Sequence, residues 1–110
     1  MPTEASLTAQ IVALLKARGC WVLKVHGHPW QRRGVPDILA CVPLDSVRPN
    51  RRGRRGRFLA IEVKSLDGQL SPLQVREAKA LVDAGAICIV AHALADVMEV
   101  LDDLGKRSGA

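Results

Sequence analysis

The chain has 110 residues, 48% apolar and 25% charged, with a formal net charge of +5 and a pI of about 9.6. This length predicts one domain with a modest core, and without a run of about 18 apolar residues or a charged segment leading into an apolar stretch near the start, neither a membrane-spanning helix nor a secretory leader is expected. The basic balance points to a polyanion such as nucleic acid, and with two Trp, one Phe and no Tyr phosphate contact is the expected mode of binding rather than base stacking.

Residues 5–18 read as an amphipathic helix, with Leu7, Ile11, Leu14 and Leu15 at helical spacing, Thr3 as N-cap and Gly19 as the stop. Glu4 falls in its first turn, where a carboxylate interacts favourably with the helix dipole. Cys20–Val25 reads as the first strand. A loop of turn residues follows, from His26 through Arg32, Arg33 and Gly34 to Pro36. His26 and His28 lack any further Cys or His nearby and read as an exposed pair. Asp37–Val42 is the second strand, opening on an acid. Pro43–Gly56 is read as a mobile hairpin connection. Six arginines, Arg48, Arg51, Arg52, Arg54, Arg55 and Arg57, crowd its end and form a candidate phosphate-binding set, to which Arg32 and Arg33 add. The competing reading is a solvated charge run.

Phe58–Lys64 is the third strand, apolar except for Glu62 and Lys64 at its end. After a turn, Ser71-Pro72-Leu73-Gln74 opens a helix with an N-cap, a proline at the first position and a capping box; it runs to Ala84 and stops at Gly85. Ala86–Ala91 is a fully apolar strand, expected to be central or covered on both faces. A last helix spans about 94–104, with residues 105–110 frayed. The order α-β-β-β-α-β-α describes an α/β fold with a mixed four-stranded sheet and helices on both faces. Cys20, Cys41 and Cys88 are odd in number, widely spaced and set in apolar segments. They read as reduced core thiols of a cytoplasmic protein, not as zinc ligands or disulfides.

The chemistry concentrates at the third strand. Side chains alternate along a strand, so Glu62 and Lys64 share a face, roughly 7 Å apart. Charges on a core strand are costly unless paired or coordinated. If the second and third strands form a hairpin with Val42 opposite Arg57, Asp37 comes opposite Glu62, with Cβ atoms about 5 Å apart. A slip of one residue breaks this arrangement. Two carboxylates so close repel unless a proton or cation lies between them, and oxygen ligands suit Mg²⁺ or Mn²⁺. The Val63 carbonyl is a further candidate ligand. Lys64 could acidify a metal-bound water or stabilise charge on a phosphate. The alternative is a salt-bridge cluster of Asp37, Glu62 and Lys64.

Gly34-Val35-Pro36-Asp37, Glu62-Val63-Lys64 and Ser71-Pro72-Leu73-Gln74, with Glu4 on the first helix, together resemble the VRR-NUC family of PD-(D/E)XK nucleases. The likeness runs from about Glu4 to Val97. It implies a restriction-endonuclease-like fold and Mg²⁺- or Mn²⁺-dependent cleavage of nucleic acid, with DNA favoured over RNA. Glu4, Asp37 and Glu62 match the acidic metal positions, Lys64 the active-site lysine and Gln74 the helix glutamine. For Gln74 the capping-box role is a full competitor. Small stand-alone members are similar to Holliday-junction resolvases, and some are linked to phages. Bacterial or phage origin, branched DNA as substrate and a homodimer are therefore what the resemblance implies. The Pro43–Gly56 loop is longer and richer in arginine than in small members, which weakens any substrate preference carried over from them. A non-catalytic nucleic-acid-binding module and an accessory subunit of a restriction or repair assembly are the alternatives.

Overall fold

The computed structural model of the chain describes residues 3–27, 30–44 and 55–108. His28 and the candidate phosphate ligands Arg48, Arg51, Arg52 and Arg54 lie outside the described residues, as does most of the Pro43–Gly56 connection.

Helix α1 (Glu4–Ala17) forms where expected. The Thr3 hydroxyl accepts from the Ser6 N–H at 3.0 Å, and Leu7, Ile11 and Leu15 are buried along one stripe. Four strands follow: β1 (Trp21–Lys24), β2 (Ile38–Pro43), β3 (Gly56–Val63) and, after helix α2 (Pro72–Asp83), β4 (Ile87–Ala91). They form one sheet in the order β1-β2-β3-β4, antiparallel up to β3 and parallel between β3 and β4. The parallel step needs a long crossover, which α2 supplies. Helix α3 (Leu94–Ser108) closes the described chain. Among the described residues, no helix is long and apolar enough to cross a membrane.

The β2–β3 hairpin has the expected register, with Val42 opposite Arg57, Cys41 opposite Phe58 and Ile38 opposite Ile61. One further step brings Asp37 opposite Glu62. The ladder is longer than the sequence indicates. Pro43 pairs with Gly56, and the Leu44 N–H donates to the Arg55 carbonyl at 3.1 Å, so the connection is shorter at both ends. Gly56 permits this extension, because a Cβ there would lie 2.8 Å from the Cys41 sulfur.

One face of the sheet holds the core. Ile38, Ala40, Val42, Leu59, Ile61, Val63 and Ala91 pack with the apolar stripe of α1 and with Val97, Leu101 and Leu104 of α3. Helix α2 packs beside β4 on the other face. One expectation is narrowed and two change. Of the two readings of the apolar fourth strand, central or covered on both faces, the second holds: it lies at the sheet edge, half-buried, with α2 on one side and α3 on the other. Helical cover on the second face stops near β4, which leaves Trp21, Leu23 and Phe58 exposed. Cys41 is exposed with them and Cys88 is half-buried, so of the three free thiols Cys20 alone is buried. Finally, α3 continues through Gly105 to Ser108. Buried Leu101 and Leu104 hold its last turns against the core, and Lys106 near the C-terminus favours the dipole, together offsetting the roughly 1 kcal/mol that glycine costs a helix.

Candidate active site

The site lies where β3 ends, and backbone geometry explains its construction. The Lys64 N–H donates to the Ala91 carbonyl of β4 at 3.1 Å. Successive N–H groups of a strand point to opposite sides, so those of Val63 and Ser65 point away from β4. On that side β2 begins only at Ile38, and among the described residues no backbone carbonyl takes them. Acidic side chains do. Asp37 Oδ2 accepts from the Val63 N–H at 2.8 Å, and Glu4 Oε2 accepts from the Ser65 N–H at 2.9 Å. Two of the three acids singled out by sequence are thus fixed by ladder donors that would otherwise be orphaned.

Asp37 is delivered to this position by the Gly34-Val35-Pro36 turn. Gly34 has φ +85°, and a Cβ there would lie 2.5 Å from the Leu73 carbonyl oxygen. The loop thus presses directly on the first turn of α2. Pro36 is fully buried beside it, and the Asp37 carbonyl accepts from the Val25 N–H at 2.8 Å.

Glu62 is only 4% exposed. Gln74 Nε2 donates to its Oε1 at 2.9 Å. The same Gln74 side chain closes the capping box, with its Oε1 accepting from the Ser71 N–H at 2.9 Å while Ser71 Oγ accepts from the Gln74 N–H at 3.2 Å. One end of the Gln74 amide thus caps the helix while the other holds the Glu62 carboxyl. Burial pushes the Glu62 carboxyl from 4.5 up to about 7, and the Asp37 charge and a side-chain hydrogen bond with Asp37 push the same way; Lys64 opposes and Glu4 adds to the rise. The pair therefore holds a proton readily in the absence of another cation.

Among the described residues, no three His, Cys, Asp or Glu side chains gather as a preformed metal cluster. Glu4 is held at the Ser65 N–H, while Asp37 and Glu62 are in hydrogen-bond contact. A buried and a half-buried carboxylate that repel one another fit Mg²⁺, which binds through one or two carboxylates and retains several waters. Lys64 is half-buried next to this pair.

The described arginines of the candidate phosphate-binding set have different surroundings. Arg32 is ion-paired with Glu77 of α2, so its charge is already engaged. Arg57 Nε donates to the Gly85 carbonyl at 3.3 Å, just past α2. Arg33 is exposed and lines a polar cleft with Gln31, Gly34 and Asp37. Arg55 lies beside the start of β3 and is exposed.

Sequence reasoning missed Ser65 and His92. His92 Nδ1 lies 3.0 Å from the Ser65 carbonyl oxygen. The signal was the abrupt change from an apolar strand to a histidine at the end of β4. It acquires meaning only once the parallel pairing of Val63 with Ala91 is known.

No family model and no curated protein matches the chain. A solved structure of a "VRR_NUC domain" aligns with it at a TM-score of 0.69 and 24% sequence identity, over 90% of this chain and 94% of that one. The agreement in element order and mixed sheet over nearly the whole of both chains gives the protein a VRR-NUC-like, restriction-endonuclease-like fold.

Proposed function

We propose that the protein is a metal-dependent endonuclease that hydrolyses DNA phosphodiester bonds. The observation that carries this reading is the pairing of buried Glu62 with half-buried Asp37, with Lys64 two residues beyond Glu62, at the end of β3 in a VRR-NUC-like fold. Asp37, Glu62 and the Val63 carbonyl would hold Mg²⁺ or Mn²⁺, with Glu4 completing the set. When bound, the ion supplies Lewis-acid polarisation of the phosphate and a more acidic water. Lys64 provides a positive charge for the phosphate as negative charge builds on it. Gln74 holds the Glu62 carboxylate in place, and Arg33, Arg55 and the arginines before β3 contact flanking phosphates. Branched DNA is the proposed substrate class. A site of this kind cuts one strand at a time, so paired cuts in a junction require a second subunit, and a two-fold homodimer is the economical arrangement.

The test is a cleavage assay on linear, single-stranded, flap and four-way-junction DNA with Mg²⁺ and with Mn²⁺, accompanied by native mass at working concentration. Cleavage that persists in excess EDTA refutes the metal reading. A non-catalytic nucleic-acid-binding module is the second reading, favoured by the lack of a preformed three-residue metal cluster among the described residues. Salt-dependent DNA binding without cleavage of any substrate would establish it.

A further inference from the structure

We propose that His92 is a positioning residue of this site, acting through the Ser65 backbone on Glu4. The inference rests on the metal-site reading above for its functional consequence, but not for the contacts themselves. Ser65 is exposed, in the segment between β3 and α2, where no strand partner holds it. The two peptide groups that flank its Cα are each held by a side chain. The N–H donates to Glu4 Oε2 at 2.9 Å, and the carbonyl lies 3.0 Å from His92 Nδ1.

A carbonyl oxygen only accepts, so Nδ1 carries the proton and donates it. The histidine is itself fixed. Its backbone N–H and that of Ala93 both donate to Asp96 Oδ2, at 2.9 and 3.1 Å, which locks the turn from β4 into α3. On the preceding side, Lys64 is tied to the end of β4 through the Ala91 carbonyl. Glu4, Lys64, Ser65 and His92 line one cavity. The chain of contacts Asp96–His92–Ser65–Glu4 therefore links the start of α3 to the acid at the start of α1. Glu4 is an exposed residue at a helix end and makes this contact across sixty-one positions of sequence. Without His92, the Ser65–Leu66 peptide is released, and the Ser65 backbone that carries the anchoring N–H keeps one of its two side-chain contacts.

Two substitutions separate this role from mere occupancy. His92→Asn retains a donor near the Nδ1 position, whereas His92→Gln places its amide near Nε2 and loses the brace. In metal-free protein, Ser65 amide exchange measured by NMR is expected to speed up about fivefold or more in His92→Ala and His92→Gln, the scale of one lost hydrogen bond, and to stay near wild type in His92→Asn. Mn²⁺ titration of the same proteins is expected to show binding weakened several-fold in His92→Ala. In a Glu4→Gln background, His92→Ala is expected to add nothing to the loss of Mn²⁺ affinity. Unchanged Ser65 exchange in His92→Ala overturns the proposal. So does an Asn variant as impaired as the Ala variant, or an equal loss of Mn²⁺ affinity with and without Glu4. If wild-type protein binds no Mn²⁺ while Ser65 exchange responds as stated, the brace stands and the metal-site reading fails.

Discussion

Replacing Glu62 with Gln should make the metal-free protein more stable at pH 8 while abolishing its proposed activity. Burial and Asp37 raise the Glu62 carboxyl from 4.5 to about 7. The folded state therefore binds this proton more tightly than the unfolded chain does. Its contribution to stability is fully present below pH 4.5 and is lost as pH rises through 7. A rise of that size corresponds to about 3 kcal/mol. Gln is nearly isosteric, and its amide oxygen can still accept from Gln74 Nε2. The variant thus removes the ionisation and retains the hydrogen bond. The assay is urea unfolding of wild type and Glu62→Gln in EDTA from pH 4.5 to 8. The stability difference in favour of the variant should grow by about 3 kcal/mol across that range. In thermal unfolding this means a gain of roughly 10 °C at pH 8. Mg²⁺ or Mn²⁺ at pH 8 should stabilise the wild type and narrow the gap. A difference that does not change with pH, or a variant less stable than wild type at pH 8, would refute the argument that the pair is held in uncompensated repulsion.

Lys64→Ala should abolish nicking while leaving DNA affinity within about threefold of wild type, because one phosphate contact among several is lost; filter binding in EDTA beside a nicking assay checks both. Gln74→Glu keeps an acceptor for the Ser71 N–H but replaces the amide donor at Glu62 with a carboxylate. Its cost in unfolding experiments should reach about 1–3 kcal/mol at pH 8 and shrink toward pH 5, where one of the two acids takes a proton. Gly34→Ala should cost about 2 kcal/mol or more, combining the penalty of a positive φ with a clash against the Leu73 carbonyl; the denaturation midpoint reports it.

The local features of this fold were legible because they depend on near neighbours in sequence. Thr3, Ser71, Pro72 and Gln74 mark helix starts through contacts three residues away, and the structure shows those contacts. The β2–β3 register was legible too, since a single alternation pattern and one closing pair determine which of Asp37 and Ile38 shares a face with Glu62. Strand order was not. An apolar run such as Ile87–Ala91 looks the same at a covered edge as at a sheet centre, and only the placement of α2 and α3 distinguishes the two. The Arg32–Glu77 pair and the His92–Ser65 contact join segments 45 and 27 positions apart. No local pattern announces either. The exposure of Cys41 and Phe58 has the same origin, because their strands carry no record of how far the helical cover extends.

The way the acids are held predicts a separation between fold and chemistry at Asp37. Its carboxylate has two functions that a sequence pattern cannot distinguish. It accepts from the Val63 N–H at 2.8 Å, which replaces a missing strand neighbour, and it faces Glu62 as one half of the charged pair. Asp37→Asn retains an acceptor for Val63 and removes the charge. It should fold at least as well as wild type at pH 8, because the repulsion that raises Glu62 is relieved, and it should bind Mn²⁺ poorly. Asp37→Ala removes both functions and leaves the Val63 donor unpaired at a partly buried position, a loss of about 1–3 kcal/mol. Unfolding free energies of the two variants in EDTA therefore order as Asn above wild type above Ala, although both variants are expected to be inactive. Equal destabilisation by Asn and Ala would mean that the charge of Asp37, and not its acceptor, holds the strand end in place. The site would then be an electrostatic cluster, not a metal-ready pair stored against repulsion.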